Sequence, residues 1–277
     1  MRALVLTATA LGVGALAPLT ARHRFESRVA GEVDRLWSHP AAIAVGPEQL
    51  RARTSTLPAP VRRYLDFATG GDAPAVRTAH LLHGGTFRTS PDASWFPIAG
   101  EQFVTAGTPG FIWHATLRPL PLVWIEARDR LEAGHGHMLV KALSLFTIAD
   151  AASPEIDQSA SLRWLGEAAW VPYALLADAV RWEPIDDHSA RASLEPAGRG
   201  ATAVFEFEAD GRLSAFRADR YRDVGGGQAV LTPFVGRCSE YRHIGAFRVP
   251  TSVEATWRLE SGDFTFARFQ VSSIEYN

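Results

Sequence analysis

Residues 162–176 read LRWLGEAAWVPYALL, and how they fold decides how the rest of the chain folds. Taken as a helix, the stretch is apolar on most of its surface. Leu162, Leu165, Ala169 and Leu176 form one stripe; Trp164, Ala168, Val171 and Leu175 form another. A helix apolar this far round its circumference is buried. Arg163, Glu167 and Trp170 follow at i, i+4 and i+7 and share the remaining face. Arg163 and Glu167 can pair across one turn. Pro172 cannot donate to the carbonyl of Ala168, so a bend there leaves a carbonyl free beside Trp170. The charged pair is open to two readings: a polar anchor at the bottom of an apolar pocket, or an ion pair that fixes how the helix sits on its neighbours.

The sequence on either side of this stretch has the period of strands. Alternation begins at 76–83 and continues or bends through Gly84-Gly85-Thr86-Phe87. Residues 111–118 and 122–128 are two further runs around a proline-bearing turn, and 137–147 reads as another, with both faces largely apolar and so covered. After the helix come 180–183 and 190–194. Residues 202–208 and 212–218 flank Ala209-Asp210-Gly211, a strong hairpin signal. Residues 252–259 and 264–271 flank a second turn at 260–263. Strands on both sides of one helix, without a regular strand–helix rhythm, disfavour Rossmann and TIM arrangements. The expected fold is mainly β (α+β): a large curved antiparallel sheet or open barrel over 76–277, wrapped around a helix enclosed at 160–177. Helices precede it, at 25–38 and at 57–69, the latter with Pro60 in its first turn and Gly70-Gly71 at its end. Residues 22–75 are a helical lead-in.

Composition narrows the function. The chain has 277 residues, 47% hydrophobic and 21% charged, enough to bury roughly 70–75% of its unfolded surface. A net charge of −2, without a basic stripe or zinc finger, gives no reason to expect nucleic acid as a partner. One cysteine, Cys238, excludes an intrachain disulfide and a cysteine zinc site. Residues 3–21 carry no charge, and Arg22, His23, Arg24 and Arg28 follow. Residues 1–21 therefore read as a signal peptide or membrane anchor, the alternative being a terminal helix buried in the fold. An anchor makes the protein membrane-associated in either orientation; cleavage makes it periplasmic or secreted.

The segments LPAPVRRYL (57–65), GTFR (85–88), FIWHA (111–115), ARDRLEAGHGHMLVKA (127–142), LRWLGEAAWVPYAL (162–175), DGRL (210–213), ADRYR (218–222), EYR (240–242) and VPTSVEATW (249–257) together resemble a bacterial domain family described only as of unknown function. The resemblance covers most of 57–277 and implies a shared fold, with no activity attached. The strand–helix–strand order also looks like the lipoprotein-carrier fold, in which a half-open barrel holds acyl chains. That likeness is of fold alone.

The candidate site residues follow from burial and chemistry. Glu167 and Asp129, with Arg220, could form an acid–base set or a network satisfying buried charge. His114, inside an apolar strand, is a candidate acid or hydrogen-bonder to a ligand. Arg163, Trp170, Arg220, Tyr241 and Trp257 are candidate ligand contacts, with the indoles offering area and an N–H. His135 and His137 share a strand face but lack a third ligand, and His80 and His83 have the wrong spacing for one face, so no metal is expected. Nor is a cofactor, since the P-loop, G-x-S-x-G and dinucleotide fingerprints are missing. Three functions stay open: binding or carrying a hydrophobic small molecule or lipid near a membrane; acid–base catalysis on a small hydrophobic metabolite by an isomerase, cyclase or hydrolase; and a structural or assembly role.

Overall fold

The computed structural model describes residues 2–38, 47–71, 73–194, 200–225 and 228–277, with the backbone alone for residues 2–16 and 47. The decisive stretch is helical, but the helix begins and ends earlier than 160–177. Helix α4 spans Pro154–Glu167. The Ser153 side chain caps it by accepting from the Ile156 N–H, Pro154 occupies its first turn, and Glu155 and Asp157 sit at the positive end of its dipole. The chain then turns, with the Val171 N–H donating to the Ala168 carbonyl at 3.1 Å. Pro172 opens a separate 3-10 helix, Pro172–Leu176. Proline's missing donor thus starts a new element instead of bending an old one. The Ala168 carbonyl is accordingly satisfied. The next two carbonyls accept from tyrosines: Ala169 from the Tyr64 hydroxyl at 3.0 Å and Trp170 from the Tyr276 hydroxyl at 2.9 Å. Trp170 leaves the face shared by Arg163 and Glu167.

Thirteen strands among the described residues form one antiparallel, curled sheet. They are β1 (Thr78–Phe87), β2 (Phe96–Thr105), β3 (Gly110–Leu120), β4 (Val123–Glu132), β5 (His135–Ala142), β6 (Phe146–Ala151), β7 (Val180–Pro184), β8 (Ser189–Leu194), β9 (Ala201–Phe207), β10 (Leu213–Asp223), β11 (Ala229–Ile244), β12 (Phe247–Leu259) and β13 (Gly262–Tyr276). Their order is β6-β5-β4-β3-β2-β1-β13-β12-β11-β10-β9-β8-β7. Two meanders are therefore joined by the first and last strands. The edges, β6 and β7, are connected by α4 and the 3-10 helix, which cross the inner face; α4 packs on β4 and β5 at one end and on β9 and β10 at the other. Leu162, Trp164 and Leu165 are almost wholly buried there. Each such side chain contributes about 1.5–3 kcal/mol, as an upper estimate. The sheet bends where β1 and β13 crowd. The pairing slips between Leu82 and His83, and Gly85 has φ 139°; a Cβ there would lie 1.9 Å from the Arg268 carbonyl oxygen.

Several elements differ from the sequence reading. The run 137–147 is two strands, β5 and β6, separated by a turn in which Leu143 and Ser144 have positive φ. Strands β2 and β11 and helix α2 (Pro47–Ser55) were not anticipated. Helix α3 (Ala59–Thr69) lies on the inner face, capped by Gly70 in the left-handed conformation. Helix α1 (Arg2–Ser38) lies on the outer face, where Phe25, Val29 and Val33 pack on Ile112 and Leu139. Among the described residues no helix is long and apolar enough to cross a membrane. The side chains of residues 1–16, which make up most of the expected signal or anchor, lie outside the described residues.

Candidate functional site

Register divides the candidate residues between two faces. Gln102 pairs with Trp113, which pairs with Asp129. One residue away, Glu101 pairs with His114, which pairs with Arg128. Successive strand residues point to opposite sides, so the first row faces α4 and the second faces α1.

On the inner face, α4 delivers Arg163 into the first row. Its Nε donates to Glu167 Oε1 and its Nη1 to Asp129 Oδ2, both at 2.7 Å. Its Nη2 donates to Gln102 Oε1 at 3.4 Å, and the Gln102 amide donates to the other oxygen of Glu167. The guanidinium lies 4.5 Å from the Trp113 ring centroid and 5.1 Å from that of Phe111. The Trp113 N–H donates to His83 Nε2 at 2.8 Å. Burial, helped by the nearby Arg163 charge, pushes the His83 pKa down to about 4, so this imidazole is neutral. Gly100 leaves room for it, since a Cβ there would stand 2.8 Å from His83 Nε2.

Arg163 is neutralised twice over; Arg220 is not neutralised. From β10, Arg220 lies with its guanidinium 4.6 Å from the Phe234 centroid and 5.9 Å from that of Trp257. It donates to the Ser159 carbonyl at 3.3 Å, and its buried Nε has no hydrogen-bond partner. Among the described residues no carboxylate forms an ion pair with it. Burial and the Arg163 charge lower its pKa to about 10 against the weaker opposing pull of Glu167 and Asp129, which still leaves it charged at neutral pH. Arg222, two residues on and on the same face, also has a buried Nε without a partner. Asp129 and Glu167 are thus both engaged by Arg163, and neither forms an ion pair with Arg220 or Arg222. Half-buried aromatic rings continue the wall: Trp257 stacks on Phe266 at 5.7 Å, and Phe87 meets Phe266 and Phe96 at 5.8 and 5.7 Å.

On the outer face, His114 Nε2 lies 2.7 Å from Glu126 Oε2, and its Nδ1 lies 3.6 Å from Glu101 Oε1. Burial disfavours the imidazolium, but the hydrogen bonds and charges of Glu101 and Glu126 outweigh it and raise the pKa to about 9. Glu126, Arg128 and Glu32 are buried beneath α1, with Arg128 Nε 3.1 Å from Glu32. His114 is therefore part of the seam between α1 and the sheet, on the opposite face from Asp129 and Glu167. Trp170 and Tyr241 are also apart from them. The Trp170 indole donates to the Pro250 carbonyl at 3.0 Å, and the Tyr241 hydroxyl donates to the Leu213 carbonyl at 2.8 Å beside Phe67.

Of the expected residues, Asp129, Arg163 and Glu167 come together, and Arg220 and Trp257 lie beside them. Gln102 joins the site without any signal in the sequence, and His83, weighed only for metal, joins it as a neutral hydrogen-bond acceptor. The i, i+3 spacing of His80 and His83 does place them on opposite faces: His80 meets Glu101 at 3.0 Å on the outer side. Arg222 was legible in ADRYR as the residue one strand step from Arg220. His135 and His137 meet separate carboxylates, Asp157 and Asp150.

The chain belongs to DUF6544, a family of unknown function whose model matches residues 48–269. None of the curated proteins matches it. Similar solved structures include a LolA superfamily protein from Nitrosomonas europaea, 12% identical, covering 84% of this chain and 94% of that one with a TM-score of 0.42. A DUF1329 family protein from Desulfovibrio piger is 10% identical, covering 82% and 93% with a TM-score of 0.44.

Proposed function

We propose that this member of DUF6544 binds an amphiphile carrying an anionic group on the inner face of its sheet. The observation that carries the reading is Arg220, a guanidinium laid on Phe234 and Trp257 with a buried Nε that nothing accepts from and, among the described residues, no carboxylate within ion-pair distance. An unpaired buried charge is costly, and a carboxylate or phosphate offers the bidentate partner that a guanidinium fits. Arg222 adds a second such group. Phe87, Phe96, Trp257 and Phe266 supply area for an apolar body. Asp129 and Glu167 serve as counter-ions that hold Arg163 and keep the floor of the site in place. Acid–base catalysis needs a carboxylate free to exchange a proton, and nothing in this geometry favours it. Residues 3–21, uncharged in sequence, would keep such a protein at a membrane, where amphiphiles concentrate.

The test is a binding titration with a long-chain carboxylate and the corresponding neutral alcohol, followed by tryptophan fluorescence in vesicle-free solution. The carboxylate saturates one site and binds about tenfold or more tightly than the alcohol, a difference of about 1.4 kcal/mol or more. In Arg220→Gln the preference disappears while the thermal melt persists. Equal binding of the two compounds by the unsubstituted protein refutes the proposal, as does an undiminished preference in the variant.

A further inference from the structure

The neighbouring turns 119–122 and 143–145 are unusual in what they expose. Leu120 is 63% exposed, Leu122 93% and Phe146 66%, with Leu145 and Ile148 beside them. Leu122 has φ 64°, and Leu143 and Ser144 have φ 51° and 58°. These are left-handed conformations that a side-chain-bearing residue adopts at a cost. The turns are nevertheless firmly built: the Leu143 N–H donates to the Trp124 carbonyl at 2.9 Å, and the Trp124 indole donates to Ser144 Oγ at 3.0 Å. Backbone strain and a fixed scaffold therefore present leucine and phenylalanine to solvent.

Helix α1 passes alongside these turns. Leu36 stands near Gly110, Phe25 packs on His114 farther along β3, and Ala17, Thr20 and Ala21 reach Ser144 and Leu145. Leu19 on this part of the helix is 59% exposed. A cleft of about 680 Å³ separates helix from sheet there, and Arg24, Arg28 and Lys141 are among its walls. Arg24, Lys141 and Arg118 have no ion-pair partner among the described residues. The helix continues beyond the turns toward its N-terminus, through a run without charge from Ala3.

We infer that this end of the molecule is a bilayer-docking surface. Leu120, Leu122, Leu145 and Phe146 enter the interface beside the N-terminal half of α1, and Arg24, Arg118 and Lys141 meet anionic headgroups. Apolar side chains ringed by unpaired cations fit an anionic membrane surface. The surface is separate from the inner-face site, so the two proposals fail independently.

The test uses the full chain and vesicles of phosphatidylcholine with and without phosphatidylglycerol. A nitrobenzoxadiazole label is placed on Leu122→Cys in a Cys238→Ser background, with Glu208→Cys as a distant control. The protein sediments with the anionic vesicles, the label at 122 shifts to the blue and is quenched from within the lipid, and the label at 208 stays in water. Leu122→Ser/Leu145→Ser/Phe146→Ser, all on the surface, weakens vesicle binding by about tenfold or more without changing the melt. A label at 122 that stays in water on bound protein overturns the inference. So do unchanged vesicle binding by the triple variant and failure of the unsubstituted protein to bind anionic vesicles.

Discussion

Arg163→Met removes the cation that holds the floor of the site, leaving Asp129 without the guanidinium that donates to it and Glu167 with Gln102 as its remaining donor. Were the pair on the open surface, the loss would be about 0–1 kcal/mol; for a fully buried pair it would be about 3–5 kcal/mol. The geometry lies between, nearer the buried limit. The Arg163 and Glu167 side chains are each 16% exposed and Asp129 29%. Water screens the carboxylates in part, which brings the expected loss to about 2–3 kcal/mol. Loss of the contact with the Trp113 face adds about 0.5–1 kcal/mol. The measurement is urea unfolding followed by far-UV circular dichroism, with the loss appearing as a lower midpoint at constant slope. Arg163→Met/Asp129→Asn/Glu167→Gln, which removes the charges together, recovers most of the stability. A single variant that loses less than about 1 kcal/mol, or a triple variant no more stable than the single one, refutes a buried network with Arg163 at its centre.

Two other predictions concern stability. His114 has a folded-state pKa of about 9 against an ordinary 6.5, so its contribution is whole below pH 6.5 and is lost as pH rises through 9. The loss is at most about 3 kcal/mol across that window, and His114→Gln flattens it; a pH profile of the urea midpoint that is level from 6.5 to 9 contradicts the buried imidazolium. Gly85→Ala places a Cβ 1.9 Å from the Arg268 carbonyl at φ 139°, and costs about 3 kcal/mol or more in thermal denaturation; a near-neutral result would mean that β1 and β13 do not approach as closely as the bend requires.

The sequence carries most of the fold in its local patterns. Asp210-Gly211 marks the β9–β10 turn, and alternation in 252–259 and 264–271 marks β12 and β13. The start of α4 is legible too, as Ser153 followed by Pro154 and two acidic residues in the first turn, although the apolar density of 162–176 is the stronger helical pattern. Strand β2 hid because FPIAGEQFVT mixes proline, glycine, glutamate and glutamine into its alternation. Strand β11 hid behind Pro233, Gly236 and its charged residues. For the site, chemistry was visible and side was not. Trp113 and His114 are adjacent, and only the pairing of β2, β3 and β4 decides which one faces α4. Gln102 and His83 join the site through contacts across strands, which no spacing within one segment records.

The most direct test is a crystal structure of the protein with a long-chain carboxylic acid brominated near its tail. The anomalous signal is predicted on the inner face, against Phe87, Phe96 or Phe266, with the carboxylate within hydrogen-bond reach of Arg220. A structure in which the acid saturates the protein but bromine density lies elsewhere, with Arg220 still unpartnered, would contradict it.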